Sequence, residues 1–381
     1  MEDNFMKLCP LLLALCVVPL YADGPMPFPQ DKFDQGLWWL YQAQYDKAYS
    51  AVEQFTQDHP DDPAGYFYLA AIDWWHLAQD MEYDLPEVSQ RFSENYEKTI
   101  AVSRKEYEQA KTQHEKALAC FYAGGAEGLR GRRLITLGDW VSAYFAGRRG
   151  YRLLRRAIRY DPELYDAYMG LGIYDYYTDT LPRVQRVLAS LFIHGNKKRG
   201  LEELQLAIDK GKHVHVEGRM FLLEIYTYEE HEPEKALPIA EELVKEYPNS
   251  PVMSLAEITA LYQMHRWDDV IRESNNFLMK SINETPYFPK RGEMPALYLL
   301  GISHFWGKFD LDGAMKYFEE ILDAPDDGSR WVTYAYLRRG QIEDLRGWRD
   351  KAVSDYKEVL NRKDSWGSHR EARASLQTPF H

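Results

Sequence analysis

Bulky apolar residues recur along this chain at helical spacing, and they return in a fixed order with small and polar positions. One copy runs Tyr336, Gly340, Gly347-Trp348, Ala352, Tyr356 and Val359. A small residue lies midway along a first helix, a polar-aromatic turn follows, and a second helix opens on a small residue with bulky ones four and seven places later. The same order appears at Met220, Leu223, Glu232-Pro233, Ala236, Ala240, Leu243 and Pro248, and again at Ile258, Arg266-Trp267, Val270, Ser274 and Phe277. Ala236 to Val270 is a step of 34 residues (270 − 236), a period typical of stacked helix pairs. Further copies are Leu297, Leu300, Gly301, Lys308-Phe309, Ala314, Phe318 and Ile321, and, within 32–60, Gly36, Gln44-Tyr45, Ala48, Phe55 and the helix-stopping Pro60.

Between these copies the pattern predicts an aromatic helix from Ala64 to about Gln79 and a polar one from about Pro86 to Ala110. A long helix from Trp140 to Tyr160 follows the Gly138-Asp139 turn, with Gly147, Tyr151, Leu154 and Ile158 on one face. No alternating run is long enough for a sheet. One helix pair cannot bury its own apolar face, so the copies must stack. The expected fold is all-α, a right-handed superhelical solenoid of antiparallel helix pairs over residues 32–364, irregular at 80–112 and 178–195. Residues 23–31 read as a Pro-rich linker and 365–381 as a C-terminal cap or tail.

The period and the small-turn-small phrase resemble the tetratricopeptide repeat superfamily. A more particular resemblance lies at 168–206, in Tyr168-Met169-Gly170-Leu171-Gly172-Ile173-Tyr174, Leu181-Pro182, Phe192, Gly195, Gly200-Leu201 and Leu204. That order is similar to the inclusion-body-clearance (tetratricopeptide repeat protein 39) family, in which an extra short helix interrupts one repeat. The resemblance implies a repeat scaffold without catalysis. The leader described next departs from those intracellular proteins.

From Met6 the chain runs Lys7, a 13-residue apolar stretch from Leu8 to Leu20, then Tyr21-Ala22 before Asp23. This suits a signal peptide over 1–22 cleaved after Ala22, and is too short to span a bilayer. Leu13-Ala14-Leu15-Cys16 is a loose lipobox, with Leu15 where a small residue is needed, so a lipoprotein is the alternative form of export. The expected location is periplasmic or secreted, with no transmembrane segment in the mature chain. Cys9 and Cys16 leave with the leader, and Cys120 stands alone in an apolar context. Helix packing, not a disulfide, must then supply stability.

The formal charge of −13 disfavours contact with nucleic acid or anionic lipid in bulk. Against it stand nine arginines: Arg130, Arg132, Arg133, Arg148, Arg149, Arg152, Arg155, Arg156 and Arg159. Arg148, Arg152, Arg155 and Arg159 share one helix face. Pairing with Asp161, Glu163 and Asp166 is the expected account; an acidic peptide, phosphate or lipid headgroup is the other.

Other chemistry lacks its parts. His213 and His215, two apart, point to different faces, and no His-Glu-x-x-His or cysteine pair occurs, so no metal is expected. Gly124-Gly125-Ala126-Glu127-Gly128 and Gly170-Leu171-Gly172 follow no strand and lack the phosphate-binding Lys-Ser/Thr. Glu202-Glu203, Glu241-Glu242 and Glu319-Glu320 read as solvated helix faces. No cofactor and no enzymatic activity are expected.

The function expected is a scaffold that holds a protein or peptide partner in a concave groove; a structural subunit of a cell-envelope assembly is the alternative. First helices line the groove of such solenoids, and Tyr165, Tyr168 and Tyr176 share a face of one, a face that reads either as core packing or as groove lining. With Arg130 and Arg133 at the end of the preceding first helix, they are the expected partner-binding residues.

Overall fold

The computed structural model describes residues 31–79, 85–180, 195–282, 292–325 and 328–381. The leader and almost all of the linker lie outside them, as do Leu181-Pro182 and Phe192. Among the described residues there are helices and no strand. Among the described residues antiparallel pairs follow one another: α1 (Lys32–Tyr41) with α2 (Tyr45–Asp58), α3 (Pro63–Gln79) with α4 (Pro86–Gln109), α5 (Gln113–Thr136) with α6 (Trp140–Tyr160), and α7 (Asp166–Thr180) with α8 (Lys197–Lys210). Then come α9 (His215–Glu224) and α10 (Pro233–Glu246), followed by α11 (Pro251–Gln263) with α12 (Trp267–Ile282), α13 (Glu293–Ile302) with α14 (Leu311–Asp323), and α15 (Arg330–Leu345) with α16 (Arg349–Asn361). A last helix, α17 (Ser368–Gln377), follows them. The first helices α9 and α13 each run on into one π-turn, Ile225–Glu229 and Ser303–Gly307.

The turn inside a pair has a recurring solution. Ala43 (φ 57°), Gly138 (78°), His231 (54°), His265 (55°), Phe309 (52°) and Gly347 (74°) each take a left-handed backbone between one helix and the next. A residue there lets the chain reverse while closing the first helix's last carbonyls. That two of the six are glycine explains why no single turn residue marks the repeat in the sequence.

Within a pair, the small positions are where helices touch. A Cβ on Gly172 would lie 2.6 Å from the Gly200 carbonyl oxygen, and one on Gly340 2.8 Å from the Tyr356 ring. Backbones approach that closely only where side chains are absent, so α7 and α8 meet glycine on glycine.

The contacts divide the chain into two compact units that meet in sequence at Ile225 and Tyr226. In the later unit, Tyr298, Phe305, Phe318, Tyr334 and Tyr356 form one core. Buried Arg338 is satisfied there by Tyr298 Oη (3.2 Å), Gln341 Oε1 (2.9 Å) and Glu371 of α17 (2.9 Å). The C-terminal helix is tied down in turn, because Arg349 donates to the Ser375 and Leu376 carbonyls.

In the earlier unit, first and second helices differ in kind. Helix α3 is apolar nearly all round and buried on nearly every face, as are most residues of α9. Such helices belong inside a core. Helices α2, α4, α6 and α8 each carry one buried stripe and an exposed polar face. First helices are thus inside and second helices outside.

Candidate functional site

The interior of the earlier unit is built by α1, α3, α5 and α9. Tyr41 of α1 donates a 2.7 Å hydrogen bond to Glu217 of α9, and Phe33 meets His213 edge-on at 6.2 Å. Arg132 of α5 lies over two rings, 5.1 Å from the Trp74 centroid and 4.7 Å from that of Phe221. Tyr177 of α7 donates to Glu224 at 3.0 Å. Tyr41, Trp74, Trp75, Glu217, Phe221 and Glu224 are all buried. The inward faces of these helices touch one another, so the chain's own side chains fill the space expected to be an open groove.

Burial pushes the Glu217 carboxyl well above the usual carboxylate range, against hydrogen bonds from Tyr41 and Trp75 and the nearby Arg132 charge. The arrangement is a cation held over aromatic faces with a buried carboxyl beside it, a packing solution for charge inside a helix stack. His213 is desolvated too, and its imidazole falls to about 4.

The expected binding residues fall elsewhere. Tyr176 is fully buried, with its backbone N–H 2.7 Å from where a Gly200 Cβ would stand, so the ring cannot meet a partner. The reason is that the Gly172/Tyr176 face of α7 turns toward α8. Tyr168 is half-buried and donates to the Pro162 carbonyl at 3.3 Å; Tyr165 is half-buried under Lys210, 5.3 Å from its ring centroid. Arg130 and Arg133 face α4, where Arg130 meets Tyr96 Oη at 3.1 Å and Arg133 meets Ser89 Oγ at 3.1 Å. The arginines thus engage α4, while Tyr165 and Tyr168 lie with their ring centroids 6.3 Å apart.

Sequence reasoning expected the α6 arginines to pair with the chain's own acids. Of those on α6, Arg149 does, in a two-pronged bridge to Glu127 at 2.6 and 2.8 Å. Asp161 instead takes His114 (2.6 Å), and Asp166 accepts the backbone N–H groups of Lys212 and His213. Arg152, Arg155, Arg156 and Arg159 are exposed and make no ion pair among the described residues.

The remaining candidates resolve into structure. Cys120 is buried in the core of α5, α6 and α7, and burial raises its thiol. His215 sits 3.3 Å from the Ile208 carbonyl while Glu217 takes Tyr41, so the histidine pair and the carboxyl serve different neighbours. No group of three metal-ligating side chains gathers among the described residues. No helix among them is long and apolar enough to cross a membrane. A cavity of about 460 Å³ opens at the α2–α3 turn, lined by His59, Asp61, Asp62, Glu106, Glu115 and Tyr122 among others. Asp62 and Glu115 are spent there on helix starts, binding the Ala64 N–H and the Lys111 and Thr112 N–H groups.

The family model for the tetratricopeptide repeat matches residues 295–326, the α13–α14 pair. No curated protein matches the chain in sequence. Among solved structures, yeast Tom70 is similar over 91% of this chain and 87% of its own, at 10% identity and a TM-score of 0.41. The P58(IPK) TPR domain is similar over 91% and 95%, at 13% identity and a TM-score of 0.26. The chain therefore carries a tetratricopeptide repeat at 295–326, within a series of helix pairs laid out on the same plan.

Proposed function

We propose that this chain is a non-enzymatic, exported scaffold that binds a protein or peptide partner. The observation that carries the reading is the repeat plan: helix pairs whose first members, in the earlier unit, pack inward and whose second members each hold a polar face outward. The resemblance at 168–206 to the inclusion-body-clearance family supports the same kind of scaffold. Export rests on the apolar stretch from Leu8 to Leu20 and the Ala22-Asp23 junction.

With the interior of the earlier unit filled, the partner engages the rims and outer faces there. Tyr165 and Tyr168 offer half-exposed rings; Arg130 and Arg133 offer guanidinium groups at the α4–α5 edge. Tyr176 contributes by holding α7 against α8. Stability and partner affinity measured on the same variants test this. Tyr168→Ala should weaken binding by about thirtyfold, a cost of about 2 kcal/mol, with the helical signal intact. Unchanged affinity in both Tyr168→Ala and Arg133→Ala would remove these residues from the interface. Export is checked by the mass of the secreted chain, which should begin at Asp23.

A further inference from the structure

The outer face of α6 is divided along its length. At its N-terminal end Trp140 (62% exposed), Val141 (69%) and Phe145 (49%) stand in solvent, as does Leu137 (62%) on the turn just before it. Large apolar side chains gathered this way are unusual on a surface and mark contact sites. Val141, Phe145, Arg148, Arg152, Arg155 and Arg159 follow one another at helical spacing on a single stripe, so the apolar end passes directly into a cationic one. Phe145 and Arg152 are about 10 Å apart along the axis, at about 1.5 Å per residue. Arg152, Arg155, Arg156 and Arg159 make no ion pair among the described residues, in a chain of formal charge −13.

We propose that this face of α6 is the docking strip for an acidic peptide segment of a protein partner. The segment has apolar anchors at one end and a run of carboxylates beginning about 10 Å further along. The inference rests on the scaffold reading and deepens it by naming a surface and a partner chemistry. Guanidinium groups recognise carboxylates in a fixed fork, and Trp and Phe supply the anchoring area. Charge complementarity selects this occupant. The chain's own segment 181–194 carries Arg183 and Arg186 and no carboxylate, so it would face the arginine half with like charge. A second copy would bring a net −13 body to the strip, but with the same apolar-then-basic order on its own α6. An anionic bilayer would be met all along one plane, whereas apolar and basic groups here are segregated end to end. Interfacial helices instead flank a full-length apolar face with their basic residues.

The test uses the mature full chain and a fluorescein-labelled peptide with the order Leu-Trp-Ser-Gly-Glu-Glu-Asp-Glu-Asp, read by anisotropy. The wild type should bind it at least tenfold more tightly than a scrambled peptide of equal charge. Arg152→Glu/Arg155→Glu/Arg159→Glu should abolish binding, Phe145→Ser should weaken it about tenfold, and 0.5 M salt should weaken it strongly. These positions are exposed, and a circular dichroism melt confirms the fold in each variant. Equal binding of the scrambled peptide, or binding that survives the triple substitution, overturns the proposal. So does a wild type that sediments as a dimer broken by the triple substitution, or one that prefers phosphatidylglycerol vesicles to the peptide. A peptide array probed with both proteins separates the two readings. Capture that survives the α6 substitutions overturns the strip and leaves the scaffold standing, whereas no capture at all overturns both.

Discussion

Arg132 and Arg152 lie on consecutive helices of the same pair and carry the same charge, yet the fold treats them oppositely. Arg132 is laid over Trp74 and Phe221 with the Glu217 carboxyl nearby, and its aromatic and acidic surroundings all come from this chain. Arg152 stands in solvent with Arg155, Arg156 and Arg159, beyond an apolar cluster that nothing described covers. Both regions join aromatic rings to arginines. The difference is who supplies the complement: inside, the chain does; on α6, it is left to another molecule. A residue type that favours interfaces is therefore informative only once its own chain's claims on it are known.

Substitutions sharpen that contrast, the largest effect coming from the interior. Trp74→Ala removes a fully buried ring and one face of the Arg132 cage, and should cost about 3–5 kcal/mol of stability by denaturant unfolding. A loss below about 1 kcal/mol would mean that the interior is looser than the contacts describe.

A middle effect is pH-dependent and belongs to Glu203 of α8. Burial first, and then the like charge of Asp175, raise this carboxyl to about 7, against Arg199 and Arg155. Its folded value lies above its unfolded one, so the folded state holds the extra proton. That stabilisation is complete below about pH 4.5 and is lost as pH rises through 7. Glu203→Gln should therefore raise the melting temperature by a few degrees at pH 8 and by less at pH 5. An equal change at both pH values would break the assignment.

The smallest effect belongs to the α6 strip itself. Arg152→Gln and Val141→Ser should change stability by no more than about 0.5 kcal/mol, because both side chains are exposed. A loss above 1 kcal/mol in either would show that the chain already uses the strip.

Much of the architecture was legible in the sequence, for identifiable reasons. Gly36, Gly301 and Gly340 sit where second helices crowd the first, so small residues repeat at the pair seam and expose the period. Second helices carry one apolar stripe each, which fixes their inward face. The site was much less legible, because first helices lack a single stripe. On α7, Gly172 and Tyr176 share a face that could equally be groove or seam, and only the backbone contact there, where a Cβ on Gly172 would lie 2.6 Å from the Gly200 carbonyl oxygen, decides for the seam. Nor could spacing foretell that Asp161 and Asp166 would be claimed by His114 and by backbone N–H groups, leaving the arginines nearby without them.

The hydrogen bond from Tyr41 to Glu217 spans 176 positions of sequence, and this changes what kind of cooperative system the earlier unit is. In a simple repeat array each pair touches only its neighbours, so unfolding can fray from an end one repeat at a time. Here α1 is latched to α9, across all the helices that lie between them in sequence. Loop closure of that length is slow to find and adds nothing until it is complete. The latch therefore couples the two ends of residues 32–225, with α1 acting as a clasp where a frayed end would otherwise be.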